Sequence, residues 1–455
     1  MVTAGHRSRE EWQELDRQHY LHPFTDHKEL AEHKSRIITR ADGIYIYDAD
    51  GNEILDGMSG LWCVNVGYGR NELVIAAEKQ LRELPYYNSF FQCARPPSIE
   101  LSKILDELTQ PQFSRVFYTG SGSESIDTML RIVWRYWDLM GQPDRKIVIA
   151  RKNAYHGSTV AGASLGGMEP MHKQGGVLPY IEHIDQPYWF GSDRSMTPHE
   201  FGVYAASLLE KKIEALGADK VAAFVGEPIQ GAGGVIIPPE SYWPEIQRVC
   251  DHYGILLVTD EVICGFGRLG EWFGADYYGV KPDLMTFAKA VTSGYLPLGG
   301  VMVSDTVGDV LIDKGGEFYH GYTYSGHPAS CSVAIANIDI MRREDLVARV
   351  KDDIGPYFQQ RWATLGEHPL VGETRMVGMM GALEIVRDRS SLERFDEDDG
   401  VGMTCRNFLV ENGLVMRAIG DTIVTAPPLT MTSEQVDELI EKAWKCLDLT
   451  QKAVT

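Results

Sequence analysis

The 455-residue sequence is poor in paired cysteine, in long apolar runs and in positive charge. Its seven cysteines (Cys63, Cys93, Cys250, Cys264, Cys331, Cys405 and Cys446) are scattered, and none belongs to a CxxC pair. That argues against a zinc ribbon or a thioredoxin motif, so no metal site is expected, and it fits a reducing cytoplasm better than a disulfide framework. No stretch approaches the roughly 18 uncharged apolar residues of a membrane span, and Met1–Arg7 holds no apolar core of a signal peptide. Lys and Arg number 43 against 64 Asp and Glu, a formal charge of −21. A nucleic-acid partner is therefore not expected, because phosphate backbones select basic surfaces. Internal repeats and low-complexity tracts are absent as well. What remains is a chain with 44% apolar residues, enough for a large core and two or three domains.

The pattern of that apolar content changes along the chain. Ser8-x-x-Glu11 reads as a capping box on a short N-terminal helix. Ile44–Tyr47, the turn Asp48-Ala49-Asp50-Gly51 and Ile54-Leu55 read as a hairpin. From there strands and helices alternate. Arg115–Thr119 is a strand, followed by a Gly/Ser loop and a helix with Ile126, Met129, Leu130, Val133, Trp134 and Trp137 at helical spacing. Further strands are expected at Lys146–Ala150, Val221–Val225, Ile255–Thr259, Leu284–Phe287 and Val301–Ser304, with helices over Gly202–Ala215 and Tyr242–Tyr253 between them. This is the signature of a mostly parallel sheet covered by helices. Weaker strands follow near Met380–Leu383, Val415–Met416 and Thr422–Ala426, and a last helix opens on a Thr432/Gln435 capping box. The expected α/β organisation is a large domain over residues 66–330 and a smaller one assembled from residues 1–65 and 331–455.

Three segments carry chemistry. Ile255–Val262 is an apolar strand ending in Asp260-Glu261, and ligands of open α/β sheets sit at the carboxyl ends of strands. Leu284–Ala288 delivers Lys289 in the same way, and a lysine of depressed pKa is what imine chemistry needs. Tyr118–Glu124 runs from a strand through Gly120-Ser121-Gly122-Ser123 into a helix, a place where backbone N–H groups and serine hydroxyls can hold phosphate. It is neither a Walker A loop nor GxGxxG, since Ser125 takes the third glycine position. Each segment also has a plainer reading: Asp260 or Glu261 as a turn cap, Lys289 as a solvated surface residue, the loop as an ordinary helix cap. Together they place a phosphate cradle, an acid and a lysine on one sheet edge. That is the equipment of a pyridoxal-5'-phosphate (PLP) enzyme, in which the acid would keep the pyridine nitrogen protonated and the lysine would bind the cofactor and shuttle a proton.

From about Leu21 to Leu447 the chain resembles the class III (ω-) aminotransferases of PLP fold type I, in the amine–pyruvate branch. The resemblance rests on Gly60–Gly69 (GLWCVNVGYG), Tyr155–Thr159 (YHGST), Gly226–Gly234 (GEPIQGAGG), Thr259–Arg268 (TDEVICGFGR) and His320–Pro328 (HGYTYSGHP). It implies a large domain with a mostly parallel seven-stranded sheet. It also implies that Lys289 is the Schiff-base lysine, Asp260 the partner of the pyridine nitrogen, and Ser121, Gly122 and Ser123 the phosphate holders. Tyr155 and Val262 would flank the ring, Glu227 would support the site near Asp260, and Thr323 would reach the phosphate of a second subunit, giving a homodimer with shared active sites and leaving a tetramer open. His156 is read as a structural histidine of the cofactor site, since Lys289 already carries the proton. Trp62, Phe90, Tyr155 and Arg417 would shape the substrate pocket, with Arg417 binding the keto-acid carboxylate and swinging aside for an uncharged amine. Plain packing remains open for Trp62 and Phe90, and an ion pair for Arg417. The chain departs from its relatives at Gly120, Ile126, Leu269-Gly270 and Ala290-Val291-Thr292, none of which touches a named role. The implied reaction is ping-pong transamination between a primary amine (diamine, aryl-alkyl amine, or an ω-amino donor such as taurine or β-alanine) and pyruvate. The rivals are a PLP decarboxylase or racemase, and a non-catalytic binding protein on the same fold.

Overall fold

A computed structural model describes residues 7–454. Fifteen strands are named in chain order. β1 (Ile38–Asp42), β2 (Tyr45–Asp48) and β3 (Glu53–Asp56) precede a central set: β4 (Phe113–Thr119), β5 (Ile147–Arg151), β6 (Ile181–Ile184), β7 (Val221–Gly226), β8 (Leu256–Asp260), β9 (Leu284–Phe287) and β10 (Gly299–Ser304). After them come β11 (Val371–Val377), β12 (Met380–Ile385), β13 (Leu414–Val415), β14 (Arg417–Ile419) and β15 (Thr422–Thr425).

The central set forms one seven-stranded sheet in the order β4-β10-β9-β8-β7-β5-β6. β5 to β9 run parallel to their neighbours with β6, and β10 alone is antiparallel to the strands on either side of it. Every residue of β7, β8, β9 and β10 is buried, the consequence of helices on both faces and the reason these strands read as mostly apolar runs without polar alternation. The two-residue alternation sorts their side chains. Val148, Ala223, Val225, Leu256 and Val258 face the helix Gly122–Leu139 with its Ile126, Met129, Leu130 and Val133. Ile149, Phe224 and Leu257 face the helices Pro198–Leu216 and Tyr242–Tyr253. Each of the Val, Leu, Ile, Met and Phe side chains among them stabilises by about 1.5–3 kcal/mol on burial.

The chain ends build two smaller sheets, β1-β2-β3-β13 and β11-β12-β15-β14. The β2–β3 hairpin pairs Tyr45 with Leu55 and Ile46 with Ile54, and β13 joins it in parallel, Leu414 opposite Leu55 and Val415 opposite Asp56. Both expected capping boxes form. At Ser8 the hydroxyl accepts from Glu11 N while the Glu11 carboxylate accepts from Ser8 N; Thr432 and Gln435 exchange the same pair of bonds at 3.0 and 3.4 Å. The last helix, Ser433–Val454, buries Val436, Leu439, Ile440, Ala443 and Leu447. The helix Arg9–His19 buries none of its residues. Among the described residues no helix is long and apolar enough to cross a membrane.

Candidate active site

The carboxyl ends of β8 and β9 and the start of the helix Gly122–Leu139 meet at a cavity of about 320 Å³. Ser121, Gly122, Ser123, Tyr155, His156, Glu227, Asp260, Val262 and Lys289 all line it. Strand alternation divides the carboxylate pair. Asp260 faces the cavity. Glu261, one residue on, turns the other way, where its carboxyl accepts from the amides of Gly274 and Ala275 at 2.8 and 2.7 Å, and burial pushes it up to about 8. Glu261 is thus the anchor of the helix Gly274–Tyr278 and no part of the cavity.

Asp260 is held by three donors or donor-capable groups: Thr286 Oγ1 at 3.0 Å and Val262 N at 3.1 Å on Oδ1, and His156 Nδ1 at 2.7 Å on Oδ2. A carboxylate accepts about four hydrogen bonds, so one position remains for a ligand N–H. His156 Nε2 is buried and bonds to no other group. Glu227 lies behind this pair. Its Oε1 accepts from Tyr155 N at 3.2 Å and its Oε2 from Gly231 N at 2.8 Å, and burial raises its pKa.

Lys289 opens a short 3₁₀ turn directly after β9 with φ +52, a conformation few residues other than glycine adopt. Its amine is depressed, first by burial, with Cys63, Asp260 and Glu227 opposing that shift and the Arg417 guanidinium reinforcing it. Across the cavity Ser121 caps the helix, its Oγ accepting from Glu124 N. Glu124 Oε2 in turn accepts from Gly120 N at 2.6 Å. The first-turn N–H groups of a helix have no carbonyl of their own and carry its positive end. Two glycines permit the close approach. A Cβ on Gly122 would lie 3.2 Å from both Val262 methyls. One on Gly157, at φ +123, would lie 2.8 Å from Ser123 Cα. Ser123 Oγ accepts from Ser158 N at 3.0 Å and Thr159 Oγ1 donates to Asp127 at 2.7 Å, so the Tyr155–Thr159 loop is stitched to the helix start.

Four expected site residues do not line the cavity. Trp62 is 1% exposed in an apolar cluster with Met58, Ile229, Ile263 and Met380. Ser59, Gly60 and Trp62 all have positive φ (48, 69 and 66°), and the resulting turn sets the next residue, Cys63, on the cavity wall instead. Arg417, the first residue of β14, is half-buried; burial lowers its pKa, Tyr155 opposes that, and no carboxylate partners its guanidinium among the described residues. Phe90 and Thr323 sit together on another face. Phe90 lies against Gly321 and lines a separate hollow with Arg95, Tyr118 and His320, and the Thr323 carbonyl accepts from Tyr86 Oη at 2.7 Å. Besides Cys63, sequence reasoning missed Phe24. Its ring meets Tyr155 edge-on at 6.2 Å, across 131 positions of sequence (155 − 24) that no local pattern could bridge. Among the described residues no group of three or more His, Cys, Asp or Glu could hold a metal ion.

The family profile described as aminotransferase class-III matches residues 28–447, and the chain belongs to that family. A putrescine–pyruvate aminotransferase of Pseudomonas aeruginosa is 58% identical over 445 residues, 98% of this chain and 97% of the relative. Solved structures of a thermostable (S)-enantioselective omega-transaminase from Thermomicrobium roseum and of the omega-transaminase of Pseudomonas jessenii in complex with PMP superpose with TM-scores of 0.95 each. They are 41% and 38% identical, covering 98% and 97% of this chain and 99% and 98% of theirs. The protein is accordingly a PLP-dependent aminotransferase of fold type I. The donor set fits that cofactor: an anion cradle at a helix start, an acid with an acceptor position left, and a depressed lysine share one cavity.

Proposed function

We propose that this aminotransferase moves the amino group of a primary amine or ω-amino donor to pyruvate, releasing an aldehyde or ketone and alanine. The observation that carries the reading is the single cavity in which depressed Lys289 faces Asp260 and the open helix start, with unpaired Arg417 in electrostatic reach. Ser121, Gly122 and Ser123 would hold the phosphate through N–H groups and hydroxyls. Tyr155 and Val262 would confine the ring, and Asp260, oriented by its three bonds, would pair with the pyridine nitrogen. When bound, the cofactor supplies an electron sink for the carbanion left by loss of the donor's proton. Lys289 Nζ, whose charged form burial disfavours, would accept that proton and hand it back. His156 and Glu227 orient Asp260 and the Tyr155 backbone.

Arg417 would bind the pyruvate carboxylate through its planar fork, and its lack of an ion partner leaves it free to vacate the pocket for an uncharged amine. The name of the 58% relative supports diamines among the donors and pyruvate as acceptor. Phe90 and Thr323 lie on loops that also expose Phe91, Tyr319 and Tyr324 (90, 80 and 66%). Such an apolar face fits a second copy of the chain whose cavity those two residues complete. Seven free cysteines fit a cytoplasmic setting. The parallel β3–β13 pair supports a small domain assembled from both chain ends around a large one of about residues 66–330.

Two measurements test this. Alanine should accumulate from pyruvate with at least one member of an amine panel; release of carbon dioxide or racemised donor without alanine would replace transamination with another PLP reaction. Borohydride reduction and peptide mapping should place the cofactor on Lys289, and a label on another lysine overturns the site.

A further inference from the structure

One side chain of the smaller sheets is tied to this cavity through a relay of hydrogen bonds. Arg375, on the edge strand β11, donates from Nε to the Val235 carbonyl at 2.7 Å and from Nη2 to the Gly234 carbonyl at 2.5 Å. Glu373 and Glu384 balance its charge, at 2.5 and 2.7 Å. Glu384 is fixed in turn by the Tyr188 hydroxyl and by Thr422 Oγ1. The side chain is 10% exposed, so the guanidinium is committed to these partners.

The two carbonyls belong to residues that need holding. Gly234 has φ +116 and Val235 φ +50. A β-branched residue in the left-handed region is a strained outlier and persists only where its surroundings over-determine it. The turn transmits its position inward, because Gly234 N and Val235 N both donate to the Gly231 carbonyl at 3.0 Å. Gly231 N donates to Glu227 Oε2, and Glu227 Oε1 accepts from Tyr155 N. Arg375 thus stands at the head of a continuous chain of hydrogen bonds that ends at the backbone of a ring lining the cavity.

We propose that Arg375 is a positioning residue for the cofactor pocket, holding Gly234 and Val235 in their strained turn and thereby fixing Glu227 and Tyr155. This rests on the reading of the cavity as the PLP site. A lysine, a point donor on a flexible stem, can keep one of the two carbonyl bonds but not the fork.

The test compares the wild type, Arg375→Lys and the charge-balanced double variant Arg375→Met/Glu384→Gln. In the cofactor-free proteins, amide hydrogen exchange at 231–235 should be about tenfold faster in the double variant, the loss of roughly one charge-assisted hydrogen bond, with β7 and β8 unchanged. PLP affinity should fall about tenfold as well, and Arg375→Lys should recover part of both. Wild-type exchange and affinity in the variants overturn the proposal. So does a uniform rise in exchange across the central sheet, which would make Arg375 a general stabiliser. Failure of the wild type to bind PLP would sink the cavity reading instead, and the exchange data would still decide whether Arg375 pins the turn.

Discussion

Burial disfavours the charge on both Lys289 and Arg417, and Arg417 has no carboxylate partner among the described residues; the proposed mechanism gives the first the proton and the second the carboxylate. On the proposed mechanism, replacing Arg417 by Ala removes only a carboxylate clamp. The half-reaction with pyruvate should slow by about 10–100-fold, the value of a charge-assisted bidentate pair, and the half-reaction with an uncharged amine far less; single-turnover rates for each half read this directly, and equal losses would refute the dual use. Glu261 makes a different prediction. Its folded carboxyl titrates near 8 against an ordinary value of 4.5, so between those values the folded chain holds one proton more than the unfolded chain. Stability from this group is present below pH 4.5 and is lost as pH rises towards 8. Glu261→Gln cannot ionise. Its stability in urea should therefore improve relative to wild type between pH 5 and 8, and a constant difference across that range would place the proton elsewhere. Much at this scale was legible: Lys289, Asp260 and Ser121–Ser123 announce themselves because apolar strands end on them. Glu261's separate task, Cys63 on the cavity wall and Phe24 beside Tyr155 were not, since they depend on strand alternation at one residue, on three positive φ angles and on a contact across distant sequence.

Among the elements, the strands of the central sheet were readable where both faces are covered, as in β7 to β10, whose residues are mostly apolar. β6 was not. Its four residues, Ile-Glu-His-Ile, carry a polar centre with no alternation long enough to register. β11 hid for a similar reason, an edge strand with Glu373, Thr374 and Arg375 at its middle. The approach of the Tyr155–Thr159 loop to the helix Gly122–Leu139 depends on Gly157. In Gly157→Ala the added methyl meets Ser123 backbone and the residue must hold an unfavourable φ, a strain of about 1–3 kcal/mol. The expected result is a lower melting temperature together with weaker PLP binding, because the helix start itself must move. Weaker melting with unaltered PLP affinity would mean that this contact does not shape the cradle.

The molecule as a whole exposes aromatic side chains on the face that carries Phe90 and Thr323, two of the four expected site residues that do not line its own cavity. On the proposed dimer, Phe91→Asp should leave the chain folded but shift its solution mass, measured by light scattering, from two copies to one. Alanine formation should drop at least about tenfold while borohydride still labels Lys289, since each cavity would then lack its neighbour's loops. A variant of unchanged mass and rate would remove that face from the assembly. The domain plan was legible only in outline, because pairing between remote strands leaves no local trace.

The parallel pairing of β3 with β13 has a consequence for biosynthesis. The ribosome makes Asp56 some 358 residues before Leu414 (414 − 56). At about 5–20 residues per second the early hairpin waits roughly 20–70 s for its last neighbour. Throughout that interval one edge of the nascent hairpin offers unsatisfied amides and carbonyls to any passing chain, so chaperone demand during translation should concentrate on the first sixty residues and end only when β13 emerges.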